Sequence, residues 1–243
     1  MPLPLIDLLW RDHPDAPTGG RRGPRARVTT GSVLDAALRL ADADGLAGVT
    51  VRHLAADLGV STMSVYTHVN SRDDLLVLMV DAAHLRMERI PHGRAGWRSR
   101  VRRVAEANLA LIQQHPWLLD VVDDRSALGP GTIAKYDHEL EALEALGLED
   151  TDRDAALTFV LDFVRASARA LRPQPRAGEM AEHWPEWGPR LATYLGDDHP
   201  LARRVGAAAG EALGGPGSPS HAWDFGLTRV LDGLDALSSG GRP

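Results

Sequence analysis

Val49-Thr-Val-Arg-His-Leu-Ala-Ala-Asp-Leu-Gly-Val-Ser-Thr-Met-Ser-Val-Tyr-Thr-His-Val-Asn-Ser-Arg-Asp-Asp-Leu-Leu76 holds three helix starts in close succession. Thr50 is a good N-cap, Val51, Leu54, Ala55 and Leu58 share one face, and Gly59 offers a left-handed exit. Ser61 caps a second short helix whose Val65 and Val69 turn inward while Thr62, Ser64, Thr67 and His68 turn outward. Ser71 to Asp74 reads as a capping box opening a longer helix with Leu75, Leu78, Met79, Ala82 and Leu85 inward. Helices this short are marginal unless packed as a unit. A bracing helix precedes them from Ser32 to Asp44, with Leu34, Ala37, Leu38 and Ala41 on one face and Gly45 at its end. Two short helices joined by Gly-Val-Ser behind such a brace have the dimensions of a helix-turn-helix. The outward face of the second carries hydroxyls, a ring and an imidazole, groups suited to base edges and phosphates. A helical hairpin serving only packing is the other reading of the spacing.

At these residues the chain resembles the TetR family of bacterial transcription regulators, over about residues 31–76, and Tyr66, His68 and Val69 look most like its tetracycline-repressor branch. The resemblance implies an all-α protein: an N-terminal three-helix DNA-binding head on a larger C-terminal helical body that binds a small molecule and dimerises. It places Thr50 and Arg52 at positions that reach phosphate and base, and Thr62, Met63 and Ser64 at base-reading positions. Tyr66 and His68 match backbone-clamping positions, and Arg72 matches a phosphate-contacting lysine. Met63 and Thr67 stand where the family carries other residues, Thr67 where the tetracycline branch has an aromatic. Thr67, with its outward hydroxyl, is expected to contact DNA as well.

The flanking sequence is consistent with this. Net charge is -6, yet Arg21, Arg22, Arg25 and Arg27 crowd together without an acid just before the head. Arg25 and Arg27 are therefore expected to follow the DNA backbone or enter the minor groove; a solvated linker is the alternative reading. Residues 1–29 are read as a flexible arm, with a short amphipathic turn at Leu3 to Trp10; 30–76 as the head, 77–238 as the body and 239–243 as a disordered tail. No apolar run approaches the ~18 residues of a membrane span, no secretory signal is evident, and the expected location is the cytoplasm. Arginine replaces lysine at every position but Lys135, the habit of a GC-rich bacterial genome.

In the body, helices are predicted up to Pro116, from about Ile133 to Gly147 with Ile133, Tyr136, Leu140 and Leu143 lining it, from a capping box at Thr151–Asp154 to Arg172, and from Ser220 to Leu237. A weaker resemblance to the tetracycline-repressor C-terminal domain rests on His115-Pro-Trp-Leu-Leu119, on Leu128-Gly-Pro130 and on the ending Asp224 to Leu234. It implies that Leu157, Val160, Leu161, Val164 and Ala168 pair with Leu227, Val230, Leu231 and Leu234. Doubled by symmetry, these would form a four-helix homodimer interface; the alternative is that they are one chain's core. The aromatics Trp117, Tyr136, Phe159, Phe163, Trp184 and Trp187 are candidates to line a pocket for a flat, apolar effector. Ungapped extension from the head puts Glu88 where tetracycline sensors have a drug-binding histidine, so tetracycline is not expected.

Zero cysteines exclude disulfides and thiolate chemistry. No nucleophile elbow, phosphate loop, dinucleotide fingerprint or HExxH occurs. No enzyme or cofactor is expected, and no metal site either: His183 with Glu179, Glu182 and Glu186 could suggest one, but a single histidine among scattered carboxylates is a weak signal. The predicted function is a ligand-responsive repressor that binds a palindromic operator as a homodimer and is released by a small molecule. A helical scaffold with a vestigial head is the alternative.

Overall fold

A computed structural model describes residues 3–16, 28–121, 127–173 and 177–239. Among the described residues the chain is all-helical. Helix α1 spans Leu5–Leu9, α2 Thr30–Asp44, α3 Val51–Leu58, α4 Thr62–Tyr66, α5 Arg72–Arg86, α6 Trp97–Gln114, α7 Pro130–Leu143, α8 Asp150–Leu171, α9 Ala177–Leu195, α10 Pro200–Leu213 and α11 Pro219–Ser239. None is long and apolar enough to cross a membrane among the described residues.

Local chemistry explains the boundaries in the head. Thr29 and Ser32 cap α2 reciprocally, Thr50 accepts from His53 N–H, Ser61 from Ser64 N–H and Ser71 from Asp74 N–H. Each satisfies an amide that the first helical turn leaves orphaned. Gly59 ends α3 in the left-handed region at φ 64°, a conformation costly for any residue with a Cβ.

Two cores result. The first gathers Val33, Leu38, Val49, Leu54, Val65, Leu75 and Met79 of the head and α5, with Trp117 and Leu118 joining from a 3₁₀ turn of the body. The second joins α6, α7, α8 and α11 through Val101, Ala105, Leu143, Val160, Val164, Leu227 and Leu231. Helix α5 spans the expected head–body boundary at 76/77 without a break. It also presses on α7: a Cβ on Gly131 would lie 2.1 Å from the Asp81 carbonyl oxygen and 2.7 Å from Leu85 N. The Asp81 carboxylate accepts from Thr132 N–H at 2.8 Å, capping α7.

Several expectations change. The N-terminal segment is not flexible throughout: Leu8 and Leu9 are buried in the first core, Asn70 donates to the Leu3 carbonyl, and Trp10 Nε1–H donates to that of Leu128. Residues 17–27, with Arg21, Arg22, Arg25 and Arg27, and 240–243 lie outside the described residues. Helix α8 begins at Asp150, ahead of the expected Thr151 cap, with Asp150 and Asp152 in its first turn, where acids suit the positive end of the helix dipole. The Pro- and Trp-rich stretch forms α9 despite Pro185 and Pro189 inside it, and α9 packs chiefly on α10. Leu85 is half exposed.

The predicted inner face of α7 is also revised. Ile133 and Tyr136 are exposed, whereas Lys135 and Glu139 are buried. They pair with each other at 2.7 Å, which makes burial of both charges tolerable.

Candidate nucleic-acid interface and effector cavity

On the head, Arg52, Thr62, Met63, Tyr66, Thr67 and Arg72 are exposed around the α3–α4 turn, and Met63 projects with 71% of its surface open. Thr62, Tyr66 and Arg52 make no hydrogen bond among the described residues, so their polar groups face outward uncommitted. The remaining positions are partly spent on the fold. Thr50 caps α3, Thr67 donates to the Ser64 carbonyl at 2.7 Å, Ser64 shares a hydroxyl contact with Ser61 at 3.0 Å, and Arg72 donates to the Leu46 carbonyl at 3.0 Å. His68 requires correction: it is buried at 7% exposure, with Nδ1 against the Thr30 hydroxyl at 3.0 Å. Its ring ties the end of the recognition helix to the start of α2 and does not face outward.

The six aromatics expected in a pocket do not meet. Trp117 is buried and donates from Nε1 to Asp42 at 2.8 Å, beside His115, whose Nδ1 lies 2.7 Å from the same carboxylate. Phe163 stacks on Trp223, Phe159 is exposed, and Trp187 stacks on His183. Trp184 sits against Gly188 and Gly210, between α9 and α10. Two of them border separate body cavities: Trp184 a space of about 340 Å³ between α9 and α10, and Tyr136 one beside α7, where its hydroxyl donates to Asp154 at 2.7 Å, which with burial raises its pKa above the ordinary phenol value.

That cavity, of about 410 Å³, lies between α5, α6, α7 and α8. Its lining combines the aliphatic Val77, Val80, Leu111, Ile112 and Leu161 with the polar Asn108, Thr132, Lys135, Glu139 and Arg165. Lys135 and Asn108 both donate to Glu139. Glu139 and Leu111 also line a second cavity of about 900 Å³ on the head side, which includes Asp42, Arg86, Glu88, Arg103 and His138. The two spaces therefore adjoin across the Glu139 network. This site was missed in sequence because its residues are polar and come from α6 and α7; the available signal was the chain's one lysine, four residues before a glutamate.

His84 borders the smaller cavity with Nδ1 3.0 Å from the Thr132 hydroxyl. Burial first, then the Lys135 and Arg165 charges, push its pKa down to about 3. A histidine held neutral in the fold but titrating normally when unfolded stabilises the protein above pH 6.5, and this stability is lost as pH falls toward 3. The slope is about 1.4 kcal/mol per pH unit in that window. Urea titrations at pH 7.5 and 5.0 should show wild type losing about 2 kcal/mol more than His84→Gln; equal losses would remove His84 from the account. Burial, then His92, likewise holds His138 below the usual imidazole range.

The positions expected at a dimer interface are already covered within one chain: Leu157, Val160, Val164 and Ala168 of α8, and Leu227, Val230, Leu231 and Leu234 of α11, are buried, and Leu161 is partly buried. The α8–α11 pairing is present, but these side chains fill a single chain's core. The outward residues of the pair are Phe159, Ala166 and Ala170 on α8 and Ala222, Phe225 and Leu237 on α11.

Residues 33–79 match the family described as bacterial regulatory proteins, tetR family, and residues 90–238 match the tetracyclin repressor-like C-terminal domain. Over 240 residues the chain is 35% identical to the HTH-type transcriptional repressor DrrR1 of Streptomyces coeruleorubidus, covering 96% of this chain and 85% of that protein. It is similar to apo ActR from Streptomyces coelicolor with a TM-score of 0.74 at 25% identity, over 89% of this chain and 99% of that one. For ActR in complex with actinorhodin the TM-score is 0.69 at 25% identity, over 87% and 97%.

Proposed function

The chain belongs to the TetR family of bacterial regulatory proteins, and from that premise we propose which residues carry each part of its activity. It is a ligand-responsive, DNA-binding transcriptional repressor that acts on operator DNA as a homodimer. The observation that supports the DNA reading best is the uncommitted outward set Arg52, Thr62, Met63 and Tyr66 on a rigidly capped α3–α4 unit. Arg52 suits guanine or phosphate, Thr62 a base edge, and Tyr66 a phosphate oxygen. His68 acts from behind, holding α4 on α2. Phe159, Phe225 and Leu237 pair the two copies, and two heads about one duplex turn apart fit a palindrome. A regulator working on chromosomal DNA acts in the cytoplasm, where we place it.

The effector enters the adjoining cavities between α5, α6, α7 and α8. Their combined lining suits an amphipathic molecule with an aliphatic or ring skeleton against Val77, Val80 and Leu111 and an oxygen function at the Lys135–Glu139 pair. Occupation favours a head separation that no longer matches successive major grooves.

Fluorescence anisotropy tests this, using the duplex upstream of the protein's own gene against a scrambled duplex across a salt series. Preference for the specific duplex by about 1000-fold is expected; equal, steeply salt-dependent binding to both, persisting after selection from random sequence, would overturn sequence-specific repression. Arg52→Ala should cost about 1–3 kcal/mol on operator if it holds guanine, whereas equal loss on random DNA assigns it to phosphate. Tyr66→Phe should weaken operator binding without altering the dimer.

A further inference from the structure

His92 lies between α5 and α6, in a backbone segment held by two arginines of α6: Arg103 donates to its carbonyl, and Arg100 to that of Gly93, each at 3.0 Å. The His92 ring is buried against α7, with Nε2–H donating to the His138 carbonyl at 2.8 Å. That bond fixes the tautomer and leaves Nδ1 as a lone pair. Nδ1 is buried and has no hydrogen-bond partner, an uncommon state for a native polar atom. A ring that donates one nitrogen to a backbone carbonyl and keeps the other bare is the usual arrangement of a metal-ligating histidine.

The neighbouring groups complete a ligand set. His138 stacks on His92 with ring centroids 4.3 Å apart, and Glu141 follows one helical turn later on α7. One donor atom from each of His92, His138 and Glu141 lies within 4.8 Å of the other two. His138 is only partly buried and Glu141 is exposed, so both can close on an ion while His92 stays fixed; His138 does so by turning its ring out of the stack. We propose that His92, His138 and Glu141 bind a divalent transition-metal ion, with Zn²⁺ the best match, at the rim of the head-side cavity. Two imidazole nitrogens and one carboxylate are a borderline donor set that zinc accepts, with a fourth position left for water or a donor atom from the cavity. Because His92 precedes α6 and the other two ligands ride on α7, the ion pins the segment after α5 to α7.

The test uses full-length, dimeric protein purified without a polyhistidine tag and stripped with a chelator. Zn²⁺ competition against a chromophoric chelator should give one equivalent per chain, and Co²⁺ should give the visible absorption of a nitrogen/oxygen site. His138→Gln and Glu141→Gln, both at least partly exposed and so outside the packed core, should each weaken binding 10-fold or more, and His92→Gln should abolish it. His183→Gln, outside the cluster, should leave affinity unchanged, and Zn²⁺ should raise the Tm of wild type but not of His138→Gln. No stoichiometric binding, or binding that survives His138→Gln and Glu141→Gln with unchanged affinity, would show the histidine stack to be packing alone.

Discussion

Lys135→Met should destabilise the chain by about 3–5 kcal/mol, because it leaves Glu139 charged and buried with only Asn108 to donate to it. The exposure of Glu139 is 2%, so solvent compensates poorly for the lost ammonium. The pair itself adds little net stability, since desolvation of both ions offsets most of their attraction. The double variant Lys135→Met, Glu139→Leu should therefore recover most of the loss while placing an apolar surface between the two cavities. Guanidinium or urea denaturation of the single and double variants measures this, and a double variant no more stable than the single would show that the pair contributes outright. If the Lys135–Glu139 network reads the effector's oxygen function, the recovered double variant should bind operator normally yet fail to release it.

Trp117→Ala should cost about 3–5 kcal/mol. The indole is 1% exposed and is a body residue filling the head's core. Its removal leaves a cavity where α2 meets the body, and it also frees Asp42, which then holds only His115. Trp117→Phe keeps most of the packing and loses the hydrogen bond, for about 1 kcal/mol. Denaturation separates the two contributions. A loss for Trp117→Ala no larger than that for Trp117→Phe would mean that the indole's packing across the head–body junction counts for little.

The head was legible in sequence because its information is local. Thr50, Ser61 and Ser71 announce helix starts by a chemistry that needs no tertiary context, and Gly59 announces a stop. His68 was misread because its outward position was inferred from α4's period, whereas the helix ends at Tyr66 and the ring then folds back to Thr30. The body was legible as helices but not as a site. On α7 the apolar residues Ile133 and Tyr136 mark the wrong face, since the inside is occupied by the Lys135–Glu139 pair, whose further donor, Asn108, comes from α6. The aromatics were poor guides for a related reason: a tryptophan such as Trp117 is as useful in a core as in a pocket, and spacing along the chain does not separate the two. His92 and His138 stand too far apart in sequence to be read as a pair.

The absence of a side chain at Gly131 has a mechanical result. With backbone against backbone there, α5 and α7 have no room to slide past one another, and a rigid-body turn of the pair about a point near Leu85 would carry the head with it. Arg72, at the other end of α5, is about 20 Å from that point at 1.5 Å per residue. A rotation of about 5° displaces Arg72 by about 1.7 Å, and two-fold symmetry makes that about 3.5 Å between heads, a tenth of the roughly 34 Å that separates successive half-sites. A displacement too small to notice at the cavity wall is thereby geared up, at the DNA, into a misfit of about one base-pair step.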